Sequence, residues 1–196
     1  VKEIKLDSKQ IIDRMKDRGI VGLGGAAFPT NVKYMIPEGK KAEFLLINGV
    51  ECEPYLTSDN RIMIENTEEI FIGIEIMKKA LNMNNAIIGI EKNKPDAIRI
   101  MTEMSKNYSG TKVVPLEMKY PQGAEKQLIN ALTGREVPSG KLPIEVGCVV
   151  DNVATALAIY YAVQKNRPLI DNVLTFTGKN VTHPKNLLIR VGTPLQ

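Results

Sequence analysis

The sequence predicts an α/β fold, in which helices cover both faces of a parallel sheet and the start of a small β-rich module follows. Three observations carry this. Short runs such as Glu43–Ile47 (EFLLI) and Ala86–Ile90 (AIIGI) are apolar, without the alternation of a strand that shows one face to water. Stretches with helical periodicity separate these runs, as expected of a layered α/β domain. After Arg167-Pro168 the alternation ends, and two strand-like runs follow one another with no helix between them.

Taken in order, Asp7 or Ser8 is placed to cap a helix carrying Ile11, Ile12 and Met15, which Gly19 ends. A glycine-rich loop, Gly22-Leu23-Gly24-Gly25-Ala26-Ala27-Phe28-Pro29-Thr30, leads toward the first buried strand at Glu43–Ile47. Asn48 to Asn60 reads as a polar loop, and helical periodicity then runs from about Arg61 to Leu81. Ala86–Ile90 is the second strand. Pro95 opens a helix that ends near Lys106, and Lys112–Leu116 is the third strand. Gln122–Leu132 is a helix entered through Gly123. A Pro/Gly-rich loop from Gly134 to Pro143 leads to a fourth strand, Val146–Val150, and a helix over Asn152–Gln164. Val173–Thr177 and Leu187–Val191 are the two strands of the final module. The expected organisation is one domain over residues 1–168 and the beginning of a truncated second module over 169–196.

Composition narrows the class. The 196 residues are 43% apolar and 24% charged, which excludes a disordered, a collagen-like and a disulfide-scaffold chain. Cys52 and Cys148 are too few to build a zinc ribbon or hold an iron–sulfur cluster alone, and read as buried thiols of a reducing compartment. His183 is the single histidine, so a multi-histidine metal site is excluded and a His-based triad disfavoured. The net charge of +4 is located entirely in residues 161–196, where Lys165, Arg167, Lys179, Lys185 and Arg190 face Asp171 alone. A nucleic-acid footprint would spread over a face and carry stacking aromatics, so no nucleic acid is expected; a solvated tail or a contact to a further domain remain. The charged start at Val1, Lys2 and Glu3 does not resemble a signal peptide. Val146–Val163 is long enough to raise a membrane question, but Asp151, Asn152 and Thr155 interrupt it, so a soluble chain is expected.

Four junctions could carry chemistry. The glycine loop can turn successive N–H groups toward phosphate or flavin oxygens, although it is neither GxGxxG nor a P-loop, and a glycine-rich turn is also an ordinary structural device. Asn48-Gly49-Val50-Glu51-Cys52-Glu53-Pro54 follows a strand, where open parallel sheets form their ligand crevice. Its amide and carboxylates suit ribityl or ribose hydroxyls, or a solvated turn. Tyr120-Pro121-Gln122-Gly123-Ala124-Glu125 and Asp151-Asn152-Val153-Ala154-Thr155 stand at two more strand-to-helix junctions, suited to anion binding or to plain helix capping. Lys33 can add positive charge near an anionic ligand. No nucleophile–base pair stands out, which disfavours a hydrolase and favours a cofactor that carries the chemistry; no side chain is singled out as catalytic, and none as a metal ligand.

Four segments together resemble the C-subunit family of Rnf electron-transport complexes and, more distantly, the NADH-oxidising flavin subunit of respiratory complex I. They are GIVGLGGAAFPTNVK (Gly19–Lys33), INGVECEPYLTSDNRIM (Ile47–Met63), YPQGAEKQLINALTGREVPSGKLP (Tyr120–Pro143) and VVDNVATALAI (Val149–Ile159). The resemblance implies a Rossmann-like domain with an FMN and NADH site. On that pattern Gly22, Gly24 and Gly25 would line the flavin and dinucleotide, Phe28 would stack on the nucleotide and Lys33 would contact it. Asn48 and Glu51 match flavin-contacting positions and Glu53 a NADH-contacting one. Gly123 and Glu125 would flank nicotinamide and flavin, and Asn152 with Thr155 would hold the FMN phosphate. Val50, Ala124 and Asp151 depart from the complex I pattern, which has an aspartate, a glutamate and an asparagine there. Asp151 would put a negative charge near the phosphate. The resemblance further implies two [4Fe-4S] clusters beyond the end of this chain and electron exchange with ferredoxin. It also implies ion translocation with other Rnf subunits, and a peripheral place on the cytoplasmic face of the cell membrane. Two readings stand beside it: a soluble relative that carries electrons to a reductase, and a docking scaffold that keeps the fold without the cofactor.

Overall fold

The structure is a computed structural model that describes residues 3–194; Val1 and Lys2 of the charged start, and Leu195 and Gln196 at the chain end, lie outside the described residues. Helix α1 (Ser8–Asp17) is set by Asp7, whose carboxylate accepts the Gln10 N–H at 2.8 Å while the Gln10 side chain accepts the Asp7 N–H at 3.0 Å. This reciprocal cap satisfies two donors that a helix start leaves open, and it selects Asp7 over Ser8. The glycine loop follows, held at its neck by Gly22 N–H to Phe28 O (2.8 Å) and Thr30 N–H to Ile20 O (3.0 Å). Its last residue enters a short helix, α2 (Thr30–Tyr34), where the sequence predicts no helix.

Four parallel strands form the main sheet: β1 (Phe44–Gly49), β2 (Ala86–Glu91), β3 (Thr111–Leu116) and β4 (Cys148–Asn152), in the order β3-β2-β1-β4. Between β1 and β2 run α3 (Ser58–Glu65) and α4 (Thr67–Ala80); α5 (Pro95–Ser105) joins β2 to β3, and α6 (Glu125–Thr133) precedes β4. Helix α7 (Val153–Gln164) leaves β4 directly. The chain walks from β1 to β3 in one direction and then returns past β1 to β4. Right-handed crossovers therefore put α3, α4 and α5 on one face and α6 on the other. Both faces are apolar: Leu45, Ile47, Ile88 and Ile90 join the core under α1, α4 and α7, whereas Leu46, Ile87, Leu116 and Val150 pack with Leu128 and Ile129 of α6. That two-sided burial is why the strands read as unbroken apolar runs.

Several boundaries differ from expectation. The periodic stretch Arg61–Leu81 is two helices, because Asn66 leaves helical geometry (φ −126°, ψ 34°) and the Thr67 hydroxyl bonds back to Met63 O at 2.6 Å. Helix α6 begins at Glu125, not Gln122, since Ala124 is extended. A single 3₁₀ turn occupies Pro143–Val146, so the fourth strand starts later, at Cys148. The last module is an antiparallel pair, β5 (Asp171–Phe176) and β6 (Lys185–Arg190), beginning two residues before each expected strand. The apolar stretch Val146–Val163 divides into β4 and α7, and among the described residues no helix is long and apolar enough to cross a membrane. Both cysteines are free; Cys148 is buried, but Cys52 is only partly so.

Candidate functional site

The strand order reverses between β1 and β4, and the loops that leave the carboxyl ends of these two strands, toward α3 and α7 on the same face of the sheet, meet there at a crevice. Asn48 and Asn152 are register partners across this boundary. Asn152 ends β4 and caps α7, accepting the Ala154 N–H at 2.7 Å; its amide donates to Asp59 Oδ2 at 2.6 Å and to Asn48 O at 3.4 Å. Asn48 in turn donates to Gly123 O at 2.8 Å and accepts the Val50 N–H at 3.1 Å. Two asparagines thus stitch the ends of β1 and β4 to the loop after β3 and the start of α3.

The glycine loop hangs over this point. Leu23 N–H donates to the buried Thr155 hydroxyl at 3.0 Å, and a Cβ placed on Gly24 would lie 3.4 Å from Asn152 Cβ. Gly24 thus stands in van der Waals range of the residue that caps α7. Gly25 takes φ +124° with open space beside it, and Ala27 is left-handed at φ 51°. Ala27, Glu51 (φ 49°) and Tyr55 (φ 71°) are non-glycine left-handed residues in the glycine loop and the loop after β1, a form of backbone strain that gathers at ligand sites. The third loop packs more closely on the loop after β1: a Cβ on Gly123 would come within 2.9 Å of Cys52 Sγ.

Charge in the crevice is arranged in two groups. In the first, Lys33 donates to Val150 O at 2.7 Å and to Asp151 Oδ1 at 3.2 Å, while the Tyr34 hydroxyl donates to Asp151 Oδ2 at 2.9 Å. The negative charge expected at Asp151 is paired in the fold: its carboxylate is buried and both oxygens are partnered. Burial raises the Asp151 carboxyl above the ordinary range while Lys33 draws it back, and burial next to Asp151 holds the Tyr34 hydroxyl well above its usual range. Burial also raises Glu125, offset by Lys33. In the second group, Glu51 accepts from Ser58 Oγ (3.2 Å) and from the N–H groups of Asp59 (2.8 Å) and Asn60 (3.2 Å), so its carboxylate serves the start of α3. Burial and the neighbouring Glu51 push Asp59 up to about 7, against the opposing pull of Asn152 and Lys94. Lys94, itself buried, donates to Val50 O at 2.8 Å and Glu51 O at 3.3 Å, which holds the left-handed turn from beneath.

The sequence singles out twelve residues. The structure links Gly24, Lys33, Asn48, Glu51, Gly123, Asn152 and Thr155 through contacts at the carboxyl edge of the sheet, with Gly22 and Gly25 in the loop above them and Glu125 in electrostatic range. Phe28, 45% exposed, and the exposed Glu53 stand at the margin with their side chains in solvent. Sequence reading misses Tyr34, Asp59 and Lys94. The Thr-Ser-Asp-Asn stretch before an apolar run is a helix-start signal that could have found Asp59. The two hollows at Glu43–Leu45, Asn85–Ile87 and Gly110–Lys112 (about 470 Å³) and at Gly39–Lys41 with Arg135 (about 390 Å³) lie at the amino ends of the strands, away from all twelve. The crevice is an open cleft of converging loops, and it is there that polar groups, strained backbone and shifted carboxyls coincide.

A crevice of this kind fits a flavin nucleotide. The loop is thinned by glycines where it meets the strand ends, and the capped start of α7 favours an anion. Comparison with known proteins points the same way. Residues 15–161 match the family model of the Nuo51 FMN-binding domain. The chain is 51% identical over 191 residues to the C subunit of the proton-translocating ferredoxin:NAD(+) oxidoreductase complex of Clostridium ljungdahlii, covering 96% of this chain and 41% of that one. It is 46% identical over 191 residues to the Na(+)-translocating counterpart from Acetobacterium woodii, covering 97% of this chain and 43% of that one. The chain thus spans less than half the length of these relatives. Among solved structures, NAD+-reducing [NiFe]-hydrogenase in the air-oxidized state shares the fold, with a TM-score of 0.79 at 23% identity over 95% of this chain and 37% of that one. With its crevice at the β1/β4 boundary and a family match that takes in three quarters of its length, the chain belongs to the Nuo51 FMN-binding domain family.

Proposed function

We propose that this chain is the flavin- and nicotinamide-binding part of an Rnf C subunit, which moves electrons between NAD(H), FMN and iron–sulfur clusters of the full-length protein. The single observation that carries the reading is the convergence of four loops on the β1/β4 switch point, hung from Asn48, Asn152 and Thr155. Bound FMN would supply the exchange between hydride chemistry and single-electron transfer, so the protein needs no acid–base pair of its own.

The chain's residues bind and orient. Thr155 and Asn152 spend their side chains on Leu23, Ala154 and Asp59, so they act by fixing the glycine loop against α7 and leave the flavin phosphate to the helix start and the loop amides. Gly22, Gly24 and Gly25 give the ring system room. Asn48 and Glu51 shape the β1 side of the crevice, Gly123 and Glu125 the opposite side. Phe28 and Glu53, exposed at the margin, would meet the dinucleotide. Residues 1–168 form the cofactor domain, and 169–196 begin a second module that the hydrogen bonds between Thr57, Thr175 and Asn186 tie to the loop after β1. In the assembled complex the protein would sit peripherally on the cytoplasmic face of the membrane with other Rnf subunits and exchange electrons indirectly with ferredoxin.

The test is a flavin titration of the full-length protein, followed by quenching of FMN fluorescence. Saturable binding that Gly24→Val weakens by about tenfold or more supports the reading, because a branched side chain there takes up space between the loop and the start of α7. Equal binding by the two proteins, or none, would overturn it and favour a docking scaffold of the same fold.

A further inference from the structure

We propose that Asp151 sets how tightly the crevice holds a phosphorylated flavin, by tethering Lys33 at the carboxyl end of β4. The inference rests on the flavin reading above and concerns the affinity of that same site.

Lys33 sits at the end of α2, and its ammonium reaches the last turn of backbone before α7. It donates to Val150 O at 2.7 Å and to Asp151 Oδ1 at 3.2 Å, which uses two of its three hydrogens on the protein itself. The Asp151 side chain is fully enclosed, whereas 23% of the Lys33 side chain is exposed, so the lysine forms the wet side of the pair. The second carboxylate oxygen is fixed by Tyr34 at 2.9 Å, so Asp151 cannot swing away.

The residue after Asp151 caps α7, where an anion is favoured. A ligand phosphate there meets a cation whose charge is already cancelled by a buried carboxylate. Glu125 adds negative charge within range of Lys33. The local balance is neutral to negative at a place proposed to receive a dianion. Binding must then rest on backbone amides and the helix start, and the ion pair holds affinity below what a free Lys33 would allow. Asparagine at 151 keeps the size: its one carbonyl oxygen can accept from Lys33 while its amide donates to the Tyr34 hydroxyl oxygen, and the cancelling charge is gone.

The experiment compares FMN with riboflavin, which lacks the phosphate, on the full-length protein, on Asp151→Asn and on Asp151→Asn combined with Lys33→Met. Asp151→Asn is expected to tighten FMN by about fivefold or more while riboflavin stays unchanged. The gain should fade with added salt, and Lys33→Met should erase it. Asp151→Ser, which removes the same charge with a smaller side chain, is expected to shift FMN in the same direction. FMN binding that does not tighten in either Asp151 variant, or FMN and riboflavin shifting together, would overturn the proposal. Binding of neither flavin by any of the proteins would remove the flavin reading itself, and this inference with it.

Discussion

Asp59 shows how one side chain couples this site to pH. Its carboxyl is pulled out of water beside Glu51 and raised from 3.8 to about 7, while it accepts from Asn152 at 2.6 Å. A carboxyl that is raised on folding makes the folded state bind the proton more tightly than the unfolded chain does. Its contribution is fully present below pH 4 and is lost as pH rises through 7. Asp151 and Glu125 are raised as well and act with the same sign. Asp59→Asn should therefore flatten part of the fall in stability between pH 5 and pH 8, and should exceed the wild type at pH 8 by roughly 1–2 kcal/mol. Urea unfolding midpoints at the two pH values check this; an unchanged slope would mean that Asp59 ionises normally. None of this is legible in the sequence, where Asp59 stands in a polar loop. Its shift comes first from burial and then from Glu51, and both act on it only once the chain has folded.

At the scale of elements, the crevice depends on how closely α7 is pressed onto the sheet. Helix α4 lies against α7, and a Cβ on Gly73 would come within 2.1 Å of the Ala156 carbonyl oxygen. Two backbones meet there without side chains between them. Gly73→Ala is expected to destabilise the fold by about 1–3 kcal/mol despite the better helix propensity of alanine, because the helices must separate. A guanidinium unfolding curve would show it; a neutral or stabilising effect would contradict the packing. The strands and most helices are readable, since apolar runs of five residues and periodic stretches carry their own signal. Helix α2 is not, because its five residues are shorter than a detectable period and follow a loop rich in glycine. The division of α3 from α4 is also hidden, because Asn66 and Thr67 leave the helical apolar pattern unbroken across the joint.

For the whole molecule, the order β3-β2-β1-β4 turns separate motifs into one place. Residues more than a hundred positions apart, such as Leu23 and Thr155 or Asn48 and Asn152, touch because the chain returns past β1 before it forms β4. Sequence identifies the four junctions and their residue types, since strand ends followed by glycine, amides and carboxylates can be read locally. It does not show that the side chains of Asn152, Thr155, Glu51 and Lys33 are already engaged by the protein, which shifts the proposed burden of binding to backbone amides. The most direct test of the account is a crystal structure of the full-length protein soaked with FMN. The ring system is expected between the ends of β1 and β4, under Gly22–Gly25, with its phosphate at the start of α7. Density for the flavin at the amino ends of the strands, near Asn85 and Gly110, would contradict it.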